Sequence, residues 1–283
     1  MMFTVDRKPL VGALKLARHA TRRGGWLPIY ACFHLVGRDD RLSIMATDGD
    51  LSISTHVETK NAVGFDALVP AHLLTQIVGC ASGDVGFDLD GDQVVVTAGR
   101  STFTLRTLPV DDWPELHTAT GSWFILKPKT VERLGKILYA HSRDDARPVL
   151  TSVSFRDGWA VCTDSYRLAA VTVPDMPECL VPGRLVKLVL ANDGVLSMAV
   201  DETRVSFETE AGIFTSRLIP GQYPNWQQLV TKHPGRWTCD RQTLLDAIAT
   251  VSVIADSPTT PVRISQVDEG IRLRVLTTDV GGA

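Results

Sequence analysis

The sequence predicts an α+β protein built from repeated domains, each with paired helices on antiparallel sheets. Three observations support this fold class. A short strand followed by an amphipathic helix occurs three times, an apolar strand that ends in Thr-Asp follows each time, and the unit of roughly 115 residues has the length of a domain rather than of a solenoid repeat.

The segments of strand and helix begin at Phe3, Phe124 and Trp237. In the first segment Leu10 and Leu14 stand about one helical turn apart, and the later copies place apolar residues at similar spacing. Each copy therefore predicts a short strand that leads into an amphipathic helix.

Later segments keep the copies in step. A Thr-Asp pair closes an apolar strand at residues 47–48, 163–164 and 278–279. The first two copies also end alike, in Trp113-Pro114 and in Tyr223-Pro224. The repeat therefore extends over whole units and is not confined to one motif.

Each unit is itself doubled. Residues 65–70 lead into a second apolar helix at residues 73–78, and Asp90-Gly91-Asp92 has the composition of a hairpin turn. Alternating strands are predicted at residues 85–89, 94–98 and 102–107. A half unit is thus a strand, a helix and two or three antiparallel strands, and two halves form one domain.

The repeat predicts three domains, at residues 1–119, 122–235 and 236–283. The third stops after half a unit, at Ala283. We expect a half domain to leave sheet edges unpaired and apolar side chains such as Leu244 and Ile264 poorly covered.

Composition is that of an ordinary globular protein, with 44% hydrophobic and 22% charged residues in 283. No apolar run reaches the roughly 18 residues of a membrane span, and the first residues lack the pattern of a secretion signal. We expect a cytoplasmic protein with no membrane contact. The five cysteines lie far apart without ligand-like spacing, which predicts buried free thiols rather than disulfides or a zinc site.

Positive charge is concentrated although the net charge is −3. On the first helix, a basic stripe faces away from the apolar residues, and on the second repeat's helix a similar stripe is predicted to share one helical face. The basic residues of the two stripes are Lys15, Arg18, Arg22 and Arg23, and then Lys129, Arg133, Lys136 and Arg143. Arg184 and Lys187 add to this charge on a later helix.

An ordinary solvated helix face is the alternative interpretation of any one stripe. Equivalent stripes in successive repeats instead favour contact with the phosphates of duplex DNA, independent of base sequence. No aromatic side chains interleave with the cations, so stacking on single strands is disfavoured.

No pattern in the sequence predicts catalysis. Asp48, Asp50 and Asp164 could be imagined as metal ligands or as an acid/base pair, but Asp and Thr are common turn formers. No P-loop, GxGxxG or GxSxG motif occurs. We expect no enzyme, no cofactor and no metal. A nuclease that uses the repeated aspartates is the alternative from a different functional class.

With the repeats and basic helices in view, the sequence resembles the β subunit of bacterial DNA polymerase III, the DNA sliding clamp family, over nearly the whole chain. The most specific matching elements are Leu27-Pro28-Ile29, Ala46-Thr47-Asp48, Arg147-Pro148-Val149-Leu150, the stretch from Thr163-Asp164-Ser165 to Ala169, and Leu218-Ile219-Pro220-Gly221-Gln222-Tyr223-Pro224-Asn225-Trp226.

The resemblance implies DNA-clamp domains joined head to tail into a pseudo-symmetric ring subunit that encircles duplex DNA and confers processivity on a polymerase. It implies a homo-oligomeric ring, a dimer by family pattern, with the polymerase III catalytic subunit and the clamp loader as partners. By position, Arg22, Arg23 and Arg143 fall where family members approach DNA. The family's main contact near the first helix aligns on Gly24, so Arg22 and Arg23 are its neighbours.

The family also holds short linear peptides of its partners in an apolar pocket. The residues that match this pocket are Leu150, Thr163, Ser165, Tyr166, Arg167, Leu168, Pro224 and Leu229. Plain core packing is the alternative interpretation of Leu150 and Leu168. The family usually has Gly-His where Ser165-Tyr166 stand, so the resemblance implies an altered partner preference.

The incomplete third repeat leaves three accounts open. The chain is a natural short clamp that closes with a different number of subunits, a truncated product of a longer gene, or a clamp-derived interaction protein that no longer encircles DNA. Counting domains alone, three subunits with two full domains each would also supply the six domains of a ring.

Overall fold

The repeating half unit of strand, helix and antiparallel strands is present in the computed structural model of the chain. The structure describes residues 3–22, 24, 27–192, 195–230, 237–257, 260–268, 270–277 and 281–282. The chain divides into two units, residues 1–224 and residues 225–283. The first unit contains the first two repeats and the second contains the third.

The first repeat consists of two half units in succession. Its elements are β1 (Phe3–Val5), α1 (Arg7–Ala17), β2 (Cys32–Arg38), β3 (Arg41–Thr47), β4 (Leu51–Glu58), β5 (Asp66–Pro70), α2 (Ala71–Cys80), β6 (Val85–Asp90), β7 (Gln93–Ala98) and β8 (Ser101–Arg106). The strands predicted in its second half are confirmed to within one or two residues.

The second repeat has the same order of elements. They are β9 (Phe124–Ile125), α3 (Pro128–Gly135), β10 (Ser152–Arg156), β11 (Trp159–Thr163), β12 (Leu168–Thr172), β13 (Cys179–Pro182), α4 (Gly183–Leu190), β14 (Val195–Val200), β15 (Arg204–Thr209) and β16 (Gly212–Arg217). In the second unit the elements are α5 (Arg241–Val251), β17 (Val262–Val267), β18 (Gly270–Thr277) and β19 (Gly281–Gly282). The predicted α+β fold class is confirmed.

Helix α1 shows why the repeated segment folds as predicted. The Asp6 side chain accepts a hydrogen bond from the backbone N–H of Lys8 at 2.9 Å and so caps the first turn. Leu10, Leu14 and Ala17 are fully buried on one face of the helix. The predicted core face of this helix is therefore confirmed.

All ladders in the described sheets are antiparallel. In the first repeat β1, β6, β7 and β8 form one sheet, and in the second repeat β12, β11, β10 and β13 form another. The remaining strands of the two repeats form one eight-stranded sheet in the order β5-β2-β3-β4-β16-β15-β14-β9. In the second unit β17, β18 and β19 form a separate sheet.

The eight-stranded sheet joins the two repeats through β4 and β16, a contact that we call the seam. Residues 213–216 of β16 pair with residues 51–54 of β4. The hydroxyl of Thr55 donates to the carbonyl of Ala211 at 2.7 Å, and the N–H of Arg217 donates to the carbonyl of Asp50 at 3.1 Å. The backbone ladder, together with the Thr55 hydroxyl, therefore sets the relative position of the first two repeats.

The segment that connects the repeats is also held to the second one. The N–H of Ala119 donates to the Ser206 hydroxyl at 2.8 Å, and the N–H of Thr120 donates to the Asp201 carboxylate at 2.9 Å. Gly121 lies so close to Val200 that a Cβ there would stand 1.8 Å from the Val200 carbonyl oxygen. The connection is thus packed in place by β14 and β15.

The cysteine prediction is only partly correct. No disulfide forms among the described cysteines, and Cys32 and Cys162 are buried. Burial raises the pKa of the Cys32 thiol to about 11 and that of Cys162 to about 12. Cys80 and Cys239, however, are exposed; Cys80 is the last residue of α2, and Cys239 lies just before α5. No described helix is long and apolar enough to cross a membrane.

The close packing at the seam requires a residue without a Cβ at position 212, and substitution of Gly212 tests this requirement. Its φ is +142°, and a Cβ at this position would stand 2.3 Å from the Ser54 carbonyl oxygen. We expect Gly212→Ala to destabilise the protein by about 1–3 kcal/mol in denaturant unfolding. The control is Gly12→Ala in α1, where a Cβ meets no atom within 4 Å, and which should stabilise the helix by up to about 1 kcal/mol. Equal effects of the two substitutions would contradict the close packing at the seam.

Candidate nucleic-acid interface and peptide pocket

The basic residues predicted on the first repeat lie on its surface. Lys15, Arg18 and Arg22 are exposed, at the end of α1 and just beyond it. The N–H of Arg22 donates to the carbonyl of Tyr30 at 2.8 Å, which places Arg22 beside the turn that precedes β2. Arg23 lies outside the described residues.

The predicted single basic face on the second repeat is wrong. Helix α3 ends at Gly135 after eight residues, so Arg143 lies beyond the helix and beyond a further 3-10 turn at Leu138–Ala140. A glycine followed by a change to 3-10 geometry ends the helical period on which the prediction depended. Arg143 is exposed in the loop that follows.

The remaining cations of this stripe differ in their partners. Lys129 is exposed, and Lys136 pairs with Glu132 at 2.6 Å, a hydrogen bond that lowers the pKa of the Glu132 carboxyl. Arg133 is half-buried and donates from Nη1 to the carbonyl and the hydroxyl of Thr172, at 2.7 and 3.1 Å. The Arg133 guanidinium is therefore held against the end of β12.

Arg22 and Arg143 come together in a groove between the first two repeats, although they lie far apart in sequence. The groove has a volume of about 840 Å³. Its charged and titratable lining residues are His19, Arg22, Asp48, Asp50, His141, Arg143, Asp145, Arg184 and Arg217. We call it the junction groove.

Of the four arginines among the described lining residues of the junction groove, two have carboxylate partners. Arg184 lies 3.1 Å from Asp48, and Arg217 lies 4.0 Å from Asp50. Within the described part of the chain, Arg22 and Arg143 form no ion pair. Sequence reasoning did not single out Arg217, because only the β4–β16 ladder brings it to the groove.

The aspartates of the Thr-Asp pairs hold turns. In the first repeat Asp48 Oδ1 accepts from the N–H groups of Asp50 and Leu51, at 3.0 and 2.8 Å. In the second, Asp164 Oδ1 accepts from Tyr166 and Arg167, both at 3.0 Å. The third pair, at residues 278–279, lies outside the described residues. The interpretation of these aspartates as turn formers is confirmed for the first two copies.

The electrostatics of Asp164 fit this role. Its partial burial acts to raise the pKa, but the hydrogen bonds from Arg167 and Tyr166 outweigh burial and lower the pKa below its usual range. A carboxylate held ionised in this way is a poor general base near neutral pH. Among the described residues, no three His, Cys, Asp or Glu side chains lie together as a metal site requires.

The turn of the second repeat carries most of the predicted peptide pocket. Leu150 and Thr163 are buried, Leu168 is half-buried, and Tyr166 is 95% exposed. Ser165, Arg167 and Pro224 are exposed as well. Leu229 belongs to the second unit, where it is 71% exposed. The first unit therefore places one apolar side of the predicted pocket next to a polar and aromatic rim.

Two residues that the sequence did not assign to the pocket belong to this rim. Arg147 donates from Nη1 to the Ser165 hydroxyl at 2.9 Å, and the Arg167 guanidinium lies 5.5 Å from the centre of the Tyr139 ring. Arg147 stood within a matched motif, but only the folded turn shows its contact with Ser165. Tyr139 stood in no matched motif, and the 3-10 turn that follows α3 brings it to the rim.

The two turns differ at one strained position. Gly49 has a φ of +95° in the first repeat, and its counterpart Ser165 has a φ of +79° in the second. The left-handed region is unfavourable for residues with a Cβ by roughly 1–2 kcal/mol. Ser165 is therefore held in place by its turn, including the hydrogen bond from its N–H to the Thr163 hydroxyl at 3.1 Å.

Substitution of Ser165 tests this strain. We expect Ser165→Gly to stabilise the first unit by up to about 1 kcal/mol in denaturant unfolding, because glycine adopts positive φ without a steric penalty. Ser165→Ala is the control, since it also loses the bond from Arg147 but keeps the Cβ. Stabilisation by both substitutions would show that the hydroxyl, not the backbone, is the source of the effect.

Known proteins share this sequence and architecture. The family described as "DNA polymerase III beta subunit, N-terminal domain" matches residues 1–117, and its central domain matches residues 126–225. The beta sliding clamp of Pseudomonas putida is 28% identical over 284 residues, which cover 93% of this chain and 77% of that protein. The beta sliding clamp of Caulobacter vibrioides is 27% identical and covers the whole chain and 83% of that protein.

Solved structures show the same fold. The Caulobacter crescentus pol III beta structure has a TM-score of 0.88 at 27% identity and covers 100% of this chain and 83% of its own. The DnaN sliding clamp of Bartonella birtlesii has a TM-score of 0.88 at 26% identity, with 100% and 82% coverage.

The repeated α+β domains of this chain, two of which share one continuous sheet, have the fold of the DNA sliding clamps that it matches. Matches to two successive domains of one family, in the expected order, place this chain more narrowly. The chain belongs to the family of the DNA polymerase III beta subunit.

Proposed function

We propose that this chain is a subunit of a DNA sliding clamp, which encircles duplex DNA and keeps a replicative polymerase on it. The observation that carries the proposal is the junction groove, where Arg22 and Arg143 from successive clamp domains face the same space. Clamp domains are taken to be residues 1–119, 122–235 and 236–283. The chain is a processivity factor without catalytic activity of its own, and it works in the cytoplasm.

Duplex DNA binds through phosphate contacts and without base readout. Lys15, Arg18, Arg22, Lys129 and Arg143 are exposed cations that could meet the backbone. Lys136 would first have to leave Glu132, and Arg133 would have to leave Thr172. These two residues therefore contribute less than the spacing in the sequence predicted.

The seam supports the proposal that the chain closes into a ring. Strand β16 of the second repeat lies on β4, whereas its counterpart β8 in the first repeat is an edge strand in the described sheets. Phe214 on β16 is fully buried, and the equivalent Phe103 on β8 is 39% exposed. A strand from a second copy on β8 would bury Phe103 as the seam buries Phe214. The proposed assembly is thus a homo-oligomeric ring, a dimer by family pattern with a three-subunit ring as the alternative.

Partner peptides dock at the turn of the second repeat. Leu150 and Leu168 supply its apolar surface, and Tyr166, Arg167 and Arg147 form its rim. The polymerase III catalytic subunit and the clamp loader are the proposed partners. An apolar anchor that fills a small pocket is typical of such binding.

Charge reversal tests the DNA interface. We expect the double substitution Arg22→Glu, Arg143→Glu to reduce duplex binding and to lower the slope of log affinity against log salt by about 2, since each lost phosphate contact removes about 0.9. Fluorescence anisotropy with a labelled duplex over a salt series measures both quantities.

The matched control is Arg38→Glu, Arg100→Glu, which makes the same change in charge at exposed positions that do not line the junction groove. An equal fall in affinity for this control would mean that net charge, not the groove, governs DNA binding. Retention of the wild-type protein on nicked circular but not linear DNA tests encirclement separately.

The pocket is tested on β12. We expect Leu168→Ala to lower the affinity for a labelled clamp-binding peptide from the polymerase by about tenfold. Truncation of an apolar anchor commonly removes more than about 1 kcal/mol of binding free energy. Val171→Ala is the control, since Val171 is also half-buried but points to the opposite face of the same strand. No change with Leu168→Ala, or the same loss in both variants, would contradict a pocket at this position.

A further inference from the structure

The junction groove is lined by acidic as well as basic side chains, whereas binding of phosphate requires only the basic ones. Among its described lining residues are four arginines and three aspartates. Two of the aspartates, Asp48 and Asp50, belong to the Thr-Asp turn of the first repeat, and each pairs with an arginine from the second. The turn thereby places negative charge where DNA phosphates would otherwise approach.

We propose that the turn formed by Asp48 and Asp50 acts as an internal counter-ion, which competes with DNA phosphate for Arg184 and Arg217 and so limits the affinity of the junction groove for DNA. This inference rests on the proposed function, because it requires DNA in the groove. It also assigns Arg184 and Arg217 as DNA-binding residues, each of which must leave a carboxylate of the turn before it can bind phosphate.

The Asp48 side chain is held by its turn, whereas the Arg184 side chain is largely exposed. The Asp48 side chain is 12% exposed and is held by the backbone N–H groups of Asp50 and Leu51. The Arg184 side chain, near the start of α4, is 54% exposed, and its guanidinium lies 3.1 Å from Asp48 Oδ2 and 3.4 Å from Oδ1. A long exposed side chain can leave a carboxylate for a phosphate, which guanidinium groups bind in the same forked geometry.

The second pair is looser and is set by the seam. The N–H of Arg217 donates to the Asp50 carbonyl at 3.1 Å, so the two residues stand side by side. Their side chains are 69% and 70% exposed and lie 4.0 Å apart. Exposed ion pairs contribute little to stability. Exchange of the carboxylate for phosphate is therefore energetically accessible.

Weak contact suits a protein that is held on DNA by topology. Each arginine bound to phosphate steepens the salt dependence of binding by about 0.9 in the exponent. An internal counter-ion removes part of that attraction without removing the arginines. The groove can then guide DNA while letting it slide.

The test is the full-length double variant Asp48→Asn, Asp50→Asn. Asparagine keeps an oxygen that accepts the N–H groups of Asp50 and Leu51, so the turn retains its hydrogen bonds while its charge is lost. Thermal unfolding, monitored by circular dichroism, checks that the stability of the fold is unchanged. The binding probe is a short fluorescein-labelled DNA duplex in a salt series.

We expect the variant to bind more tightly than the wild type at low salt. Release of two arginines should steepen the salt slope by about 2, so that the variant loses about tenfold more affinity than the wild type between roughly 50 and 200 mM salt. In a background of Arg184→Gln, Arg217→Gln, the same substitutions should produce no gain.

The matched control is Asp39→Asn, Asp40→Asn at the opposite end of β3. Both residues are exposed, do not line the groove and undergo the same change in charge. Seven residues of strand separate the two turns by roughly 20 Å, beyond the screening length of about 10 Å at 0.1 M salt.

Three outcomes would overturn the inference while leaving the proposed function intact. They are wild-type affinity and slope in Asp48→Asn, Asp50→Asn, the same gain in the control, and a gain that persists without Arg184 and Arg217. No salt-sensitive binding by the wild type or by any variant would also overturn the inference, and failure of the wild type to be retained on nicked circular DNA would then overturn the proposed function with it.

Discussion

The backbone ladder between β4 and β16 is the interaction on which the rest of the first unit depends. Only four residue pairs form it, yet they unite strands of two repeats into one eight-stranded sheet. Side-chain contacts could tolerate small rotations between domains, but hydrogen bonds along a strand fix both register and direction. The seam therefore determines where Arg22 and Arg143 stand relative to each other.

The seam also explains why glycine and small hydroxyl residues cluster there. Gly212 lets the chain approach Ser54 more closely than a Cβ would allow. Ser216 and Thr215 are buried beside it, and the Thr215 hydroxyl is hydrogen-bonded to that of Ser206 at 2.7 Å. Buried polar groups that satisfy one another specify a single arrangement more strictly than apolar packing does.

The same Thr-Asp turn serves different ends in the two repeats. In each repeat, an Asp carboxylate accepts hydrogen bonds from backbone N–H groups and so closes the turn. In the first repeat the turn meets the neighbouring repeat and offers its charge to Arg184. In the second it carries Tyr166 and Arg167 outward, where a partner peptide is proposed to bind. The backbone motif is shared, but the two exposed residues that follow its aspartate differ, Gly49 and Asp50 in the first repeat and Ser165 and Tyr166 in the second.

Cations on the proposed DNA-facing surface interact with neighbouring groups of the protein itself. Lys136 pairs with Glu132, Arg133 is bound to Thr172, and Arg184 pairs with Asp48. Several cations that the sequence presents as a free basic stripe are thus already engaged. A ring that stays on DNA by enclosing it needs no strong phosphate contact, and strong contacts would slow its movement.

The sequence by itself determined the fold class, the order of strands and helices, and the core face of α1, because hydrophobic periodicity and turn residues are local signals that repeat. It also marked Asp48 and Asp164 as turn formers. The sequence did not predict that α3 ends at Gly135, because one continuous helix was compatible with the spacing of Lys129, Arg133, Lys136 and Arg143. Only the tertiary structure decided that Arg217 joins Arg22 in one groove, and that Arg147 reaches Ser165. Such contacts depend on strand pairing between distant segments, and no local pattern in the chain records which edge strand meets which.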